Sequence, residues 1–162
     1  MDIPRFGSLG VTATIQPIWA RHERVMDERT IPFLGPERTG WQYPFASLLR
    51  HGARLAGGSD WPVTTANPLL EIEVAITRVS ATSRGGAPFM PDERLTLDEA
   101  LAAFTIGTAH VNHLDAETGS IEIGKVADLA LLDRNLRDPN SAPIGEAMVQ
   151  ATWVEGVEVY AR

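Results

Sequence analysis

Residues 11–77 constrain this chain more than any other segment, because two short apolar strands there alternate with two helical patterns. "VTATIQP" (11–17) is alternating and β-branched, the pattern of a strand, and Pro17 stops it. "YPFASLLRHG" (43–52) reads as a helix, with Phe45, Leu48 and Leu49 on one face and Gly52 as its C-terminal stop. "ARLAG" (53–57) is a short buried strand. "ANPLLEIEVAITRVS" then opens with Asn67 as cap and Pro68 at the first helical position, and Leu69, Ile72, Ile76 and Val79 recur at helical spacing. Strand, loop, helix, strand, loop, helix is the order of a parallel α/β unit.

The flanks add less. "IPRFGSLG" (3–10) reads as a short helix. Residues 18–41 carry charges, glycine and proline breaks, Trp19 and Trp41, and read as a long irregular loop with one helical turn; such loops tend to be functional or disordered. "SRGGAPFMPDER" is a linker. "LTLDEALAAFTIGTAHVNHL" (95–114) starts with a capping box from Thr96 to Glu99, has Leu97, Leu101 and Phe104 on its apolar face, and is predicted to break at Gly107. Beyond Gly119 the chain turns β-rich. "GSIEIGKVADLALLD" holds two short strand patterns about a Gly124–Lys125 turn, and "MVQATWVEGVEVYAR" reads as a hairpin about Glu155–Gly156. The division expected is 1–114 for the α/β part and 115–162 for the small β part.

Composition excludes several classes. The 162 residues carry a net charge of −7, which argues against nucleic acid as a partner, since phosphate binding needs a basic face. With no cysteine there is neither a disulfide nor a thiolate zinc site. No apolar run has the length a membrane helix needs, and the N-terminus lacks the basic and apolar regions of a signal peptide, so no membrane role and a cytoplasmic location are expected.

The chemistry centres on "RLAGGSDWPV" (54–63), where a strand ends in two glycines and a carboxylate follows at once. Asp60 has two readings. It is a turn aspartate that caps backbone amides before Pro62, or a metal-binding or proton-transferring group at the mouth of a barrel. One carboxylate supplies too few donors for a metal by itself. His110 and His113 lie one helical turn apart but read as a solvated helix end. His51 closes a helix, where the dipole favours a cation. His22 sits in the long loop and could line a substrate pocket. Trp19, Trp41 and Trp61 either contact an apolar substrate or pack on one another. "GSIEIGK" is no phosphate loop, Ser59 has no assigned base, and Glu71 and Glu73 read as ordinary helix surface.

"VTATIQP", "YPFASLLRHGARLAGGSDWPV", "NPLLEIEVAITR", "ERLTLDEALAAFTIGTAHV", "GSIEIGKVADLALLD" and "VQATWVEGVEVY" occur in the order found at the C-terminal end of the amidohydrolase superfamily. The chain most resembles amidohydrolase family 3, the branch of YtcJ-like and formamide-deformylase-like enzymes. "GSDWPV" and "GSIEIGKVADLALLD" carry the most specific part of the likeness, which covers nearly the whole chain.

The resemblance implies an α/β fold: strands seven and eight of a metal-dependent-hydrolase TIM barrel with their helices, plus a small β-rich segment of a composite β-sandwich. It implies that Asp60 is the strand-eight aspartate, both metal ligand and general base, with Trp19, His22 and Trp61 about the substrate pocket. It also implies a divalent metal, zinc, in the full-length family. The family's His-x-His pair, its strand-four ligand and its strand-five and strand-six histidines have no counterpart here. Roughly two-thirds of a barrel of about 250 residues is missing. The chain is therefore expected to be a C-terminal piece of a hydrolase of non-peptide C–N bonds, inactive and metal-free alone. The alternative is a non-enzymatic remnant or partner-binding module. Unpaired parallel strands should drive formation of a homo-oligomer, by domain swapping if the edges exchange, and a small-molecule substrate would bind only once the site is completed.

Overall fold

The structure is a computed structural model that describes residues 2–162. Helix α1 (Ile3–Ser8) leads into strand β1 (Thr12–Ile15). Residues 17–39, read as mostly irregular, are instead largely helical: a 3-10 turn (Pro17–Trp19), a wide turn (Met26–Thr30) and α2 (Ile31–Thr39), kinked at Gly35. Proline is tolerated in a first helical turn, so Pro32 permits α2 to start, and the kink lets Pro36 begin a second short turn without breaking a hydrogen-bond ladder.

Helix α3 (Phe45–Arg50) feeds strand β2 (Arg54–Gly57), which pairs in parallel with β1, Thr12 opposite Arg54 and Ile15 opposite Gly57. Helix α4 (Pro68–Thr77) starts as read: Asn67 Oδ1 accepts the Leu69 amide at 3.0 Å with Pro68 in the first turn. It stops before Val79, because Arg78 takes the left-handed conformation at its end.

The helix that packs on β2 is the later one. Helix α5 (Leu97–Ala102) continues through a wide turn (Ala103–Gly107) into α6 (Thr108–Val111). The capping box forms as the sequence requires, with Thr96 Oγ1 accepting the Glu99 amide and Glu99 accepting the Thr96 amide. Gly107 does not break the helix; its φ is −65°. It is the point of closest approach, where a side chain would strike the Leu55 carbonyl of β2. Ile15, Leu48, Leu55, Ile72, Leu95 and Ala100 form the core between these elements.

The C-terminal part is an antiparallel sheet in the order β3 (Leu129–Leu132), β4 (Val149–Val154), β5 (Val157–Ala161). The hairpin turns at Glu155 and Gly156, both at positive φ, the primed geometry that matches strand twist. The other strand pattern, about residues 120–123, does not form a strand. Alternation makes a strand only where a ladder partner exists, and Ile121 and Ile123 stand 90 % and 109 % exposed without one. Lys125 Nζ ties that loop by donating to the Asp115 carbonyl at 2.6 Å and to Ser120 Oγ.

The surface area is 9699 Å², against about 7,900 Å² for a compact monomer of 17.6 kDa. Apolar side chains contribute to that exposed surface: Val157, Val159, Tyr160, Leu131 and Val11 all lie open. Among the described residues no helix is long and apolar enough to cross a membrane.

Candidate functional site

Asp60 stands three residues past the end of β2, on the side where β1 also ends. Its φ is +60°, a left-handed conformation that aspartate tolerates better than most residues. The turn is closed without its side chain. The Asp60 carbonyl accepts the amides of Val63 (2.8 Å) and Thr64 (3.3 Å), and Ser59 Oγ accepts the Trp61 amide. The Asp60 carboxylate makes no hydrogen bond among the described residues and is exposed. The backbone thus does the work that the turn reading gave to the carboxylate.

The exit of β1 brings a second group of residues. Pro17, Ile18 and Ala20 are buried, which anchors the loop that carries Trp19, Arg21 and His22. His22 Nδ1 lies 2.6 Å from Asp27 Oδ1, and its ring meets Phe89 edge-on at 5.2 Å. Trp61 is 68 % exposed and Trp41 also lies open, while Trp19 is half-buried. No ring pairing joins the tryptophans among the described residues, so they are not packed on one another.

His110 Nδ1 pairs with Asp115 at 2.9 Å, and this hydrogen bond holds the Asp115 carboxyl below its ordinary range. His113 is exposed at the helix end, and His51 Nδ1 meets the Ser47 carbonyl at 2.8 Å. These three histidines close helix ends and do not converge on Asp60.

The reading of Glu71 and Glu73 as helix surface is overturned: they are 0 % and 4 % exposed. Helix α4 is apolar on more than one side, through Leu69, Leu70, Ile72, Val74 and Ala75, and a helix of that kind is enclosed. That pattern was the available signal. Glu73 also lies at helical spacing from Leu69 and Ile76. Its burial is compensated: it accepts from Arg84 Nε at 2.8 Å and from the Gly145 amide at 2.6 Å.

Glu71 is compensated less. Oε2 accepts the Ile18 amide at 2.6 Å, and Oε1 has no partner among the described residues. Burial pushes its carboxyl up from 4.5 to about 7. Asp60 acts in the same direction, while the Ile18 amide and Arg21 oppose.

Arg78 is likewise buried and was not singled out by spacing. Its guanidinium donates to the Phe89 carbonyl (2.9 Å) and the Tyr43 carbonyl (3.2 Å) and lies over the rings of Phe45 and Phe89. Burial lowers its pKa to about 10.

The donor set here does not suit a resident metal by itself. Structural and catalytic cations take three or four donors, and no three His, Asp or Glu side chains gather suitably among the described residues. An apolar cleft of about 620 Å³ lies elsewhere, between α4, α5 and the three-stranded sheet, and is lined by Leu69, Phe104, Leu129 and Leu132.

Comparison with known proteins shows the family. Residues 1–160 match the model of the amidohydrolase family. Protein LONG AFTER FAR-RED 3 of Arabidopsis thaliana is 38 % identical over 96 % of this chain and 26 % of its own length. N-substituted formamide deformylase of Arthrobacter pascens is 41 % identical over 74 % of this chain and 22 % of its own length. Among solved structures, an uncharacterized metal-dependent hydrolase from Pyrococcus horikoshii OT3 superposes with a TM-score of 0.71 at 28 % identity, over 91 % of this chain and 28 % of that one. The chain therefore spans about a quarter of the length of the relatives it matches. With a family match from end to end, and an α/β fold shared with solved amidohydrolases, the chain belongs to the amidohydrolase family.

Proposed function

We propose that this chain acts as the C-terminal part of a metal-dependent hydrolase of C–N bonds other than peptide bonds, with Asp60 as its general base. In this reading β1 and β2 are the last two strands of a (β/α) barrel, and β3–β5 contribute to the adjoining sandwich. The observation that carries it is the parallel pairing of β1 and β2 with Asp60 just beyond the carboxyl end of β2, the rim where barrel enzymes place catalytic groups. A carboxylate free of hydrogen bonds within its own turn is available to accept a proton from water and return it to a leaving nitrogen. The name of the Arthrobacter relative points to formamide-type substrates. Trp19, His22 and Trp61, on the two exit loops, would border the substrate.

Family relatives support a divalent metal, with zinc our proposal. Asp60 alone does not hold it, so the remaining ligands must come from sequence outside these residues. The test is metal analysis of a full-length hydrolase that contains these residues, purified beside its Asp60→Asn variant. Stoichiometric zinc that is lost on Asp60→Asn supports Asp60 as a ligand, whereas zinc retained in that variant removes it from the site.

A second reading is favoured by the single rim carboxylate and the open apolar surface: alone, the chain is an inactive, self-associating or partner-completed module. Activity toward N-formyl amines without a partner would overturn that reading.

A further inference from the structure

Helix α4 sends Leu69, Ile72, Val74 and Ala75 into the interior, and a leucine at 71 would complete that surface. A carboxyl stands there instead, wholly hidden. Burying an acid is unfavourable unless its oxygens are satisfied, and only one of the two is. Stability alone therefore does not explain the residue.

Its placement does. The Glu71 Oε2 bond reaches across 53 positions of sequence to the Ile18 amide, in the turn that leaves β1. Helix α4, which carries Glu71, starts eight residues after Asp60, in the segment that leaves β2. One side chain thus joins the two strand exits. The charges that act on its carboxyl are those of Arg21, from the loop after β1, which favours its ionisation, and Asp60, from the turn after β2, which opposes it.

We infer that Glu71 is a positioning residue of the Asp60 site: it fastens the loop of Ile18 and Arg21 to the helix behind Asp60, so that the two exits hold one geometry and respond to each other's charge. The importance of this for catalysis rests on the function proposed for Asp60; the coupling itself does not. The arrangement is also one of function over packing, since an apolar residue would serve the helix better.

The Ile18 amide reports on the coupling directly. In the 15N-labelled chain its NMR resonance should titrate with a midpoint of about 7. Asp60→Asn should move that midpoint down, because it removes a neighbouring negative charge. Glu71→Gln should abolish the titration while the amide remains hydrogen-bonded. Glu71→Leu should free the amide and broaden or shift the resonances of Arg21 and its neighbours. An Ile18 midpoint unchanged in Asp60→Asn would overturn the inference, as would a Glu71→Leu variant whose exit loops keep their wild-type shifts. Were Glu71→Leu to unfold, the Asp60→Asn and Glu71→Gln titrations decide alone. Zinc analysis tests the proposed function separately, so either can fail without the other.

Discussion

Gly107 lies directly on the carbonyl of Leu55, leaving no room for a side chain between helix and strand. The obstacle is backbone, so neither side can yield as a flexible side chain would. Gly107→Ala should lower stability by about 1–3 kcal/mol, the usual result of overpacking, despite alanine's better helix propensity. Gly58→Ala, where an added carbon meets nothing within 4 Å, should change stability by less than about 0.5 kcal/mol. Urea unfolding of the two variants, side by side, checks the contrast.

Glu71 makes stability depend on pH. Its folded pKa is raised, from 4.5 to about 7, so the folded state holds the proton more tightly than the unfolded one. The associated stabilisation is fully present below pH 4.5 and is lost as pH rises through 7; the linkage is on the order of 3 kcal/mol. Glu71→Gln should flatten this dependence. Denaturant midpoints measured on both sides of the interval for the wild type and the variant would show it, and parallel curves would refute it.

Arg78 is held by geometry as much as by charge. Two carbonyls and two aromatic faces receive its guanidinium. Arg78→Lys keeps the charge but loses the planar fork, and Arg78→Met loses both. Each should cost about 2–5 kcal/mol, the range for stripping partners from buried polar groups. Thermal melts of the pair provide the measurement; a lysine variant as stable as the wild type would show that charge alone suffices.

Self-association should follow from the open surface. The surface exceeds that of a compact monomer by about 1,800 Å², and Leu131, Val157 and Val159 of the C-terminal sheet stand exposed, as apolar groups covered by a second copy would in the isolated chain. Sedimentation at several concentrations should find dimers or larger species. A sharp monomer peak that fails to bind a dye for apolar surface would count against it.

Much of the fold was legible because its signals are local. Asn67 and Pro68 start α4, Thr96 and Glu99 cap α5, and Glu155–Gly156 turns the last hairpin, each by chemistry within a few residues. The misreadings were non-local. Gly107 looks like a helix breaker until Leu55 lies against it. Ile121 and Ile123 look like a strand until no partner strand is found. Glu71 and Glu73 look like surface until α4 proves enclosed on nearly every side. Asp60 was legible as a residue at a strand's end. Its neighbours Glu71 and Arg21 were not, because only the pairing of β1 with β2 brings position 18 near position 71.

That pairing separates scaffold from variation. Four residues of β1 and four of β2 fix where two peptide segments emerge, and nothing in the ladder depends on what those segments contain between Pro17 and Tyr43 or between Gly58 and Ala66. The exposed positions of the intervening stretches can therefore change while the aspartate keeps its station, provided that the buried Ala20 and Met26 stay apolar and that Ile18 and Glu71 are left to pin the first of them.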